Sequence, residues 1–575
     1  MSYKDIYNEW IESSYFDEDT KDELRGIADD EKEIKERFYK SLEFGTGGLR
    51  GIIGAGTNRM NVYTVRKATR GICRYIDRKF GEEGKNRGVV IAHDSRRMSR
   101  EFCEEAAATL AAYGIKAFVF DSLRATPMLS FAIRYLNCQM GIVITASHNP
   151  KEYNGYKVYG SYGGQICVDE ANEIIDEVNS IESLGDIKVG SFDSYLESGM
   201  ITVLDDDVDN AFNEAVLSQV RDKKMVSENG DKLRIIYTPI HGTGNVPVRR
   251  AIKDAGFTDV AVVKEQELPD TEFSTVEYPN PEEKAVFNIA IDMAKESNAD
   301  LIIGTDPDCD RVGIVVRDNN GEYVVLNGNQ TGAIIVNYLF SKMNEAGNIP
   351  EKPVVIKTIV TSELGAAIAE HYGAEVVNTL TGFKFIGEKI HEYEDFGSVV
   401  KNFVIGYEES YGYLVGTHAR DKDGVVASLL IAEMAAYYYS KGMSLYEGLL
   451  ELYKKYSFFK EKTISITLKG IEGLAKIQEI ISYFRNTNIE AINDIKVVEL
   501  KDYKEGIDDL PKADVLKYFL EDESWIAVRP SGTEPKLKFY IAVKGKDEEE
   551  ANAKLDGIKN SLDKILSNVM DLETV

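Results

Sequence analysis

Six short runs of Val, Ile and Leu, each followed at once by a polar or glycine-bearing turn, restrict what this chain can fold into. Val89–Ile91 precedes Ala-His-Asp-Ser-Arg96, Ile142–Ile144 precedes Thr145-Ala-Ser-His-Asn-Pro150, and Ile235–Ile236 precedes Tyr-Thr-Pro-Ile-His-Gly-Thr-Gly244. Leu301–Ile303 leads into Thr305-Asp-Pro-Asp-Cys-Asp-Arg311, Val354–Ile356 into Lys357-Thr358, and Phe403–Ile405 into Gly406-Tyr-Glu-Glu-Ser410. Helix-like stretches such as Arg100–Tyr113 and Pro281–Ser297 lie between them. Alternating strand and helix signals predict α/β domains with mixed, largely parallel sheets. In such sheets ligands sit beyond the carboxyl ends of the strands, where all of these polar turns fall.

A chain of 575 residues exceeds what one hydrophobic core usually supports. Connector-like segments at Leu204–Asp209 and Asp318–Glu322, and a change of texture after Tyr453, divide it into four expected domains at 1–205, 206–322, 323–453 and 454–575. The formal charge, 68 basic minus 96 acidic residues or −28, disfavours nucleic acid and anionic membrane as partners. Any phosphate site must therefore be a local basic pocket in an acidic exterior. Five widely spaced cysteines without a CxxC pair fit a reducing cytoplasm. The N-terminus lacks an apolar leader, and the most apolar stretch, Val425–Tyr439, contains Glu433 and is too short to span a bilayer. It reads as a buried helix.

Ser147 follows an apolar run, and Asn149-Pro150 is a turn signal that would present its hydroxyl outward. A lone loop serine is more often a cap, so its weight comes from its neighbours. His148 is placed to polarise the site, and a second turn at Tyr153-Asn154-Gly155 would bring Lys157 back toward the serine. Lys157 is a proton shuttle only if burial or nearby cations lower its pKa.

Asp306, Asp308 and Asp310 could be a solvated acidic turn or the start of an EF-hand. The EF-hand fails, because position 6 is Arg311 rather than glycine and position 12 is Arg317 rather than glutamate. Hard oxygen ligands without His or Cys favour Mg²⁺, with Arg311 offsetting residual negative charge and a phosphate on Ser147 completing the coordination. Glu408, Glu409 and Ser410 at a strand end suit hydrogen bonding to sugar hydroxyls, although a helix cap would look alike. Arg529-Pro-Ser-Gly-Thr533 offers an arginine fork, the hydroxyls of Ser531 and Thr533, and a close-approach Gly532, a nest for a phosphate that is not transferred.

With these four segments in order, the chain resembles the α-D-phosphohexomutase superfamily of phosphoglucomutases and phosphomannomutases, and within it the long phosphoglucomutase branch. Thr145–Pro150 resembles its phosphoserine loop, Asp306–Arg311 its metal loop, Gly406–Ser410 its sugar loop and Arg529–Thr533 its phosphate loop. Gly45–Gly51, with Arg50, is similar to its N-terminal arginine motif, and Thr381-Gly382-Phe-Lys384 to its specificity loop. The resemblance implies four domains around one cleft, three related α/β domains and a C-terminal α+β domain. It implies a phosphorylated Ser147, Mg²⁺, and glucose 1,6-bisphosphate as intermediate and activator in the interconversion of glucose 1-phosphate and glucose 6-phosphate.

Lys357 and Lys422 join Arg311, Thr381, Gly382, Glu408, Ser410 and the Arg529 nest as expected substrate contacts. Where many bacterial relatives carry Gly-His after the sugar-loop serine, this chain has Tyr411-Gly412-Tyr413, and His418 is the expected substitute in proton transfer. Mannose or pentose phosphates, or bisphosphate synthesis, are the alternatives within the family. A phosphoserine hydrolase and a non-catalytic sugar-phosphate binder are the alternatives outside it. Small sugar phosphates are the expected partners, with a monomer or weak dimer as the assembly.

Overall fold

The computed structural model describes residues 2–45, 47–395, 401–468, 470–530 and 536–571. The first sheet contains β1 (Gly48–Ile52), β2 (Val89–His93), β3 (Ala117–Phe120), β4 (Met140–Ile144), β5 (Tyr153–Gly160) and β6 (Ile201–Leu204), in the order β1-β5-β4-β2-β3-β6. Its central strands β2 and β4 are parallel and buried throughout, as β-branched runs covered on both faces must be. The second sheet contains β7 (Ile235–Thr238), β8 (Val260–Val262), β9 (Leu301–Thr305), β10 (Val312–Arg317) and β11 (Tyr323–Leu326), in the order β11-β10-β9-β7-β8. The third contains β12 (Pro353–Thr358), β13 (Glu375–Thr379), β14 (Asn402–Tyr407) and β15 (Tyr413–Val415), in the order β13-β12-β14-β15.

The fourth sheet differs in kind. It contains β16 (Phe458–Thr467), β17 (Ala491–Ile492), β18 (Ile495–Asp502), β19 (Leu516–Leu520), β20 (Trp525–Pro530) and β21 (Lys536–Gly545), ordered β16-β21-β20-β19-β18-β17 with every pairing antiparallel. Helices Gly470–Asn486 and Glu548–Asp571 pack against it, the α+β arrangement expected for the last domain.

One core joins the second and third sheets around the helix Gly424–Ser440, whose residues through Tyr438 are buried. Glu433 inside it is fully buried, and its Oε1 accepts from the backbone N–H groups of Arg221 and Asp222 at 2.8 and 2.6 Å. Paired in this way, the carboxylate can sit in an apolar core. Among the described residues no helix is long and apolar enough to cross a membrane. Three N-terminal helices, Tyr3–Glu12, Glu18–Arg25 and Glu31–Phe38, form a small aromatic core around Trp10. Glu23 and Arg37 from these helices hold the backbone of Ala55, shortly after the strand carrying Arg50.

Three local expectations are corrected. Tyr153-Asn154-Gly155 is not a turn but the start of β5, paired antiparallel with β1 and β4. A Cβ on Gly155 would lie 2.4 Å from the Thr145 carbonyl, so the glycine there allows two strands to approach rather than a bend. Asp318–Glu322 is the hairpin turn between β10 and β11, which carries the second sheet on to Leu326, past the expected edge at 322. Leu204–Asp209 is not a free connector: Leu204 ends β6, and Asp205 caps the helix Asp206–Leu217.

Candidate functional site

Three of the polar loops converge at strand ends. The turn after β4 places Ser147 in the left-handed region at φ 54°, a conformation that costs energy for a residue with a Cβ. Its N–H donates to Thr145 Oγ1 at 2.8 Å, and that hydroxyl donates to Asp94 Oδ2 at 2.6 Å. Ser147 Oγ donates to Asp306 Oδ2 at 2.9 Å and lies 3.2 Å from His148 Nδ1. The serine, at the end of the first sheet, thus touches the aspartate loop between β9 and β10 of the second.

Within that loop one carboxylate oxygen from each of Asp306, Asp308 and Asp310 lies within 4.8 Å of the other two, and all three residues are buried. Asp306 Oδ1 accepts from the backbone N–H groups of Asp310 and Arg311. Asp308 Oδ1 and Asp310 Oδ1 are buried without a hydrogen-bond partner. Buried unpaired carboxylate oxygens are costly, and three converging on one point are a donor set for a hard divalent cation.

Cations surround the acids. Lys157 Nζ lies 2.8 Å from Asp308 Oδ2 and 3.5 Å from Asp310 Oδ2, Lys422 Nζ 3.1 Å from Asp310 Oδ2, and Arg311 Nε 3.9 Å from Asp310 Oδ1. Burial and the neighbouring carboxylates push the Asp306 pKa well up. Burial also opposes charge on Asp308, but the Lys157 ammonium outweighs it and holds that pKa down. Burial, then Arg311 and Arg50, drives His148 well below the usual histidine range, leaving a neutral imidazole. Burial alone would depress Lys157, yet Asp308 and Asp310 raise it, so it carries a proton firmly. The condition set for Lys157 as a neutral proton acceptor is therefore not met: carboxylates, not cations, are its neighbours.

The sugar-loop candidates join the same cluster. Glu408 is buried, accepts from Gly382 N at 3.0 Å, and is pushed by burial to about 7, with Lys422 pulling the other way. Arg311 forms an isolated bridge with Gly412, and Val312 N–H donates to the Tyr411 carbonyl at 3.0 Å, tying the aspartate loop to the sugar loop. Ser410 is partly exposed at this turn. A Cβ on Gly412 would lie 2.2 Å from Lys422 Cδ, so glycine makes room for the lysine stem. Thr381 Oγ1, beside Gly382, is buried without a partner. Arg50 reaches Asn149 Oδ1 at 3.5 Å.

Other candidates stand apart. Lys357 is fully buried, its ammonium bound to Glu363 Oε1 and the Thr361 carbonyl at 3.1 Å each, which suits a structural ion pair rather than a substrate contact. The His418 side chain is nearly buried, with Nε2 2.8 Å from Asp423 Oδ2 and the ring against Phe212. Asp423 caps the helix Gly424–Ser440, so the histidine braces a helix start and is not directed at the serine. Arg529, at the end of β20, reaches Tyr540 Oη at 3.5 Å. Ser531, Gly532 and Thr533 lie outside the described residues.

Sequence reasoning missed Asp94, Arg96 and Thr126. Arg96 donates to the carbonyls of Ser147, Asn149, Pro150 and Tyr153, and Thr126 donates to Asp308 through both its N–H and its hydroxyl. The polar turn after β2, quoted for its place at a strand end, was the available signal for the first two. Thr126 opens a helix behind Ala125 and carries no motif.

Family models described as phosphoglucomutase/phosphomannomutase α/β/α domains I, II and III match residues 41–185, 210–321 and 327–456, and the family's C-terminal domain matches 484–556. A phosphoglucomutase of Staphylococcus saprophyticus is 35% identical over 532 residues, covering 90% of this chain and 94% of the relative. One from Staphylococcus aureus is 36% identical over 543 residues, covering 92% and 94%. Among solved structures, pp63/parafusin (phosphoglucomutase) of Paramecium in its open form has a TM-score of 0.68 at 19% identity, covering 93% of this chain and 96% of that one. A phosphoglucomutase/phosphomannomutase family protein of Burkholderia thailandensis has a TM-score of 0.66 at 17% identity, covering 92% and 98%. With all four domain models matched in order and relatives above 30% identity along nearly its whole length, this chain belongs to the phosphoglucomutase/phosphomannomutase family.

Proposed function

We propose that this protein is a phosphoglucomutase that interconverts glucose 1-phosphate and glucose 6-phosphate through a phosphorylated Ser147 and a glucose 1,6-bisphosphate intermediate. One observation carries the reading: Ser147 Oγ lies 2.9 Å from Asp306 Oδ2, within a buried aspartate triad ringed by Lys157, Lys422 and Arg311. The staphylococcal phosphoglucomutases, similar along nearly the whole chain, support glucose as the sugar.

Asp306, Asp308 and Asp310 would hold Mg²⁺, consistent with the unpartnered oxygens of Asp308 and Asp310. When bound, the ion supplies charge neutralisation at the phosphoryl oxygens. The protein's own residues do the rest. In the first transfer the Ser147 Oγ–P bond breaks as a bond forms from phosphorus to the free sugar hydroxyl, whose proton is lost. The bisphosphate then presents its other phosphate, and Ser147 Oγ takes it back while its own proton leaves. Neutral His148, at 3.2 Å, is placed to accept that proton. Lys157, Lys422, Arg311 and Arg50 stabilise negative charge on the transferring group. Glu408 and Ser410 grip sugar hydroxyls, with Thr381 and Gly382 behind them, and Arg529 with Ser531, Gly532 and Thr533 holds the passive phosphate.

The four domains divide as expected, except that the second is drawn to Leu326. A cytoplasmic monomer or weak dimer is part of the proposal, supported by five cysteines that are all free and mostly buried. The experiment is conversion of glucose 1-phosphate with Mg²⁺ and catalytic glucose 1,6-bisphosphate, with inorganic phosphate followed in parallel. Fast isomerisation without phosphate release supports the mutase. Steady phosphate release without isomerisation would replace it with a hydrolase, and turnover of mannose or pentose phosphates at a much higher rate would reassign the sugar.

A further inference from the structure

The turn that carries Ser147 is held from behind by one side chain that the mechanism does not use. Arg96 NH1 donates to the carbonyls of Pro150 and Tyr153 at 2.8 and 3.2 Å, and NH2 to those of Ser147 and Asn149 at 2.6 and 2.5 Å. A single planar fork thus fixes four carbonyls between residues 147 and 153. Arg96 is itself fixed by Asp94, through its N–H at 2.9 Å and its Nε at 3.3 Å. Asp94 also receives Thr145 Oγ1, the group that accepts the Ser147 N–H. Every contact here opposes relaxation of Ser147 from φ 54° to an ordinary backbone conformation.

The brace is closed from a different domain. The Phe273 ring, 1% exposed, lies over the Arg96 guanidinium at 5.0 Å. Phe273 is also a non-glycine residue in the left-handed region, at φ 46°. His241 anchors its loop through the Leu268 carbonyl at 3.0 Å and Thr275 Oγ1 at 2.8 Å. The neighbouring Glu272 pairs with Lys151 at 2.9 Å and Arg97 at 3.4 Å, one on each side of the brace in the first domain. A loop of the second domain is therefore seated on the back of the serine turn, while the aspartate loop of the same domain meets its front.

We propose that Arg96 is a positioning residue for Ser147 and that Phe273 makes this positioning depend on the seating of the 268–276 loop of the second domain on the first. Serine and metal-binding acids then come into register together, because one domain supports both sides of the turn. The proposal rests on the phosphoserine reading for its kinetic consequence, but not for its geometry.

The test compares Arg96→Lys, Phe273→Leu and the double variant. Lysine keeps the charge and loses the fork, and leucine keeps an apolar side chain and loses the ring face. Each single variant is expected to lower kcat by about 10- to 100-fold, the cost of misplacing a reacting atom by about 1 Å, with KM for glucose 1-phosphate within about two-fold. Phosphorylation of Ser147 by glucose 1,6-bisphosphate, read by intact mass, should slow in parallel. The double variant should be no slower than Arg96→Lys alone to within about two-fold, since both act through one brace. Wild-type kcat in either single variant, multiplicative losses in the double, or a rise in KM at constant kcat would overturn the proposal. A crystal structure of Phe273→Leu gives a second reading. Arg96 shifted from its four carbonyls is expected, and an unmoved serine turn refutes the brace even if the wild-type enzyme proves not to be a mutase. Absence of isomerase activity in the wild type, by contrast, refutes only the phosphoserine reading.

Discussion

Replacing Lys157 by methionine tests the electrostatic account of the site most directly. Three buried carboxylates are balanced locally by three cations, Lys157, Lys422 and Arg311, so removing one leaves one uncompensated negative charge. At the 2.8 Å separation of Lys157 Nζ and Asp308 Oδ2, with an effective dielectric of about 20, the gross attraction is roughly 6 kcal/mol. Desolvation of the buried ammonium cancels part of this, and breaking a buried pair costs about 3–5 kcal/mol in net stability. Thermal unfolding in EDTA should therefore show the transition of the first two domains lowered by about 10 °C in Lys157→Met. Saturating Mg²⁺ should restore more stability to the variant than to the wild type, because a bound dication compensates a charge that the wild type already balances. Equal unfolding temperatures in EDTA, or a smaller gain from Mg²⁺ in the variant, would refute the reasoning.

Ser147→Ala should give no phosphoenzyme by intact mass and no measurable isomerisation, while circular dichroism and unfolding temperature stay near wild type, since only one hydrogen bond to Asp306 is lost, worth about 1 kcal/mol. Glu461 has a buried, unpartnered Oε1, and burial, with Glu363 nearby, lifts it from 4.5 to about 7 while Ser362, Asn329 and Lys460 oppose the shift. The folded state therefore holds its proton longer than the unfolded one, and stability falls as pH rises from about 4.5 to 7. Because the residue is partly exposed, the loss should be about 1–2 kcal/mol, and Glu461→Gln should remove that slope in urea titrations at pH 5 and pH 8. Trp10→Ala empties the N-terminal aromatic core, where Trp10 stacks on Phe16 at 4.2 Å. It should cost about 3–5 kcal/mol locally and make the first 40 residues the earliest site of limited proteolysis.

The fold was legible where residues repeat a pattern. Each β-branched run became a strand, and the helix over Val425–Tyr439 was visible as an apolar block, since strand and helix burial follow from local periodicity. The tyrosine, asparagine and glycine at 153–155 misled because turn-forming residue types also serve close strand approach. The serine and the aspartates were readable from their own segments. His418 and Lys357 were not, because whether a polar side chain faces a cleft or a buried partner depends on Asp423 and Glu363, which reach them through the fold. Arg96 was quoted but given no role, because its partners are backbone carbonyls, which leave no trace in residue identity.

That blindness to backbone partners has a physical pattern at this site. Ser147, Cys309 and Tyr411, one in each of three converging loops, all have positive φ at 54°, 53° and 65°, although none is glycine. A single such residue is a local accident, but three meeting loops each bearing one need external restraint, since each costs about 1–3 kcal/mol when left alone. The restraints observed run between domains. The Cys309 carbonyl accepts from Gly424 N–H, the Tyr411 carbonyl accepts from Val312 N–H, and the Ser147 carbonyl is held by Arg96 beneath Phe273. Each strained turn is thus stabilised by a partner outside its own loop, and two of the three by a direct hydrogen bond from another sheet. The site geometry is consequently a property of the assembled domains, so that substitutions loosening the interfaces of the first three domains should lower turnover before they lower the stability of any one sheet.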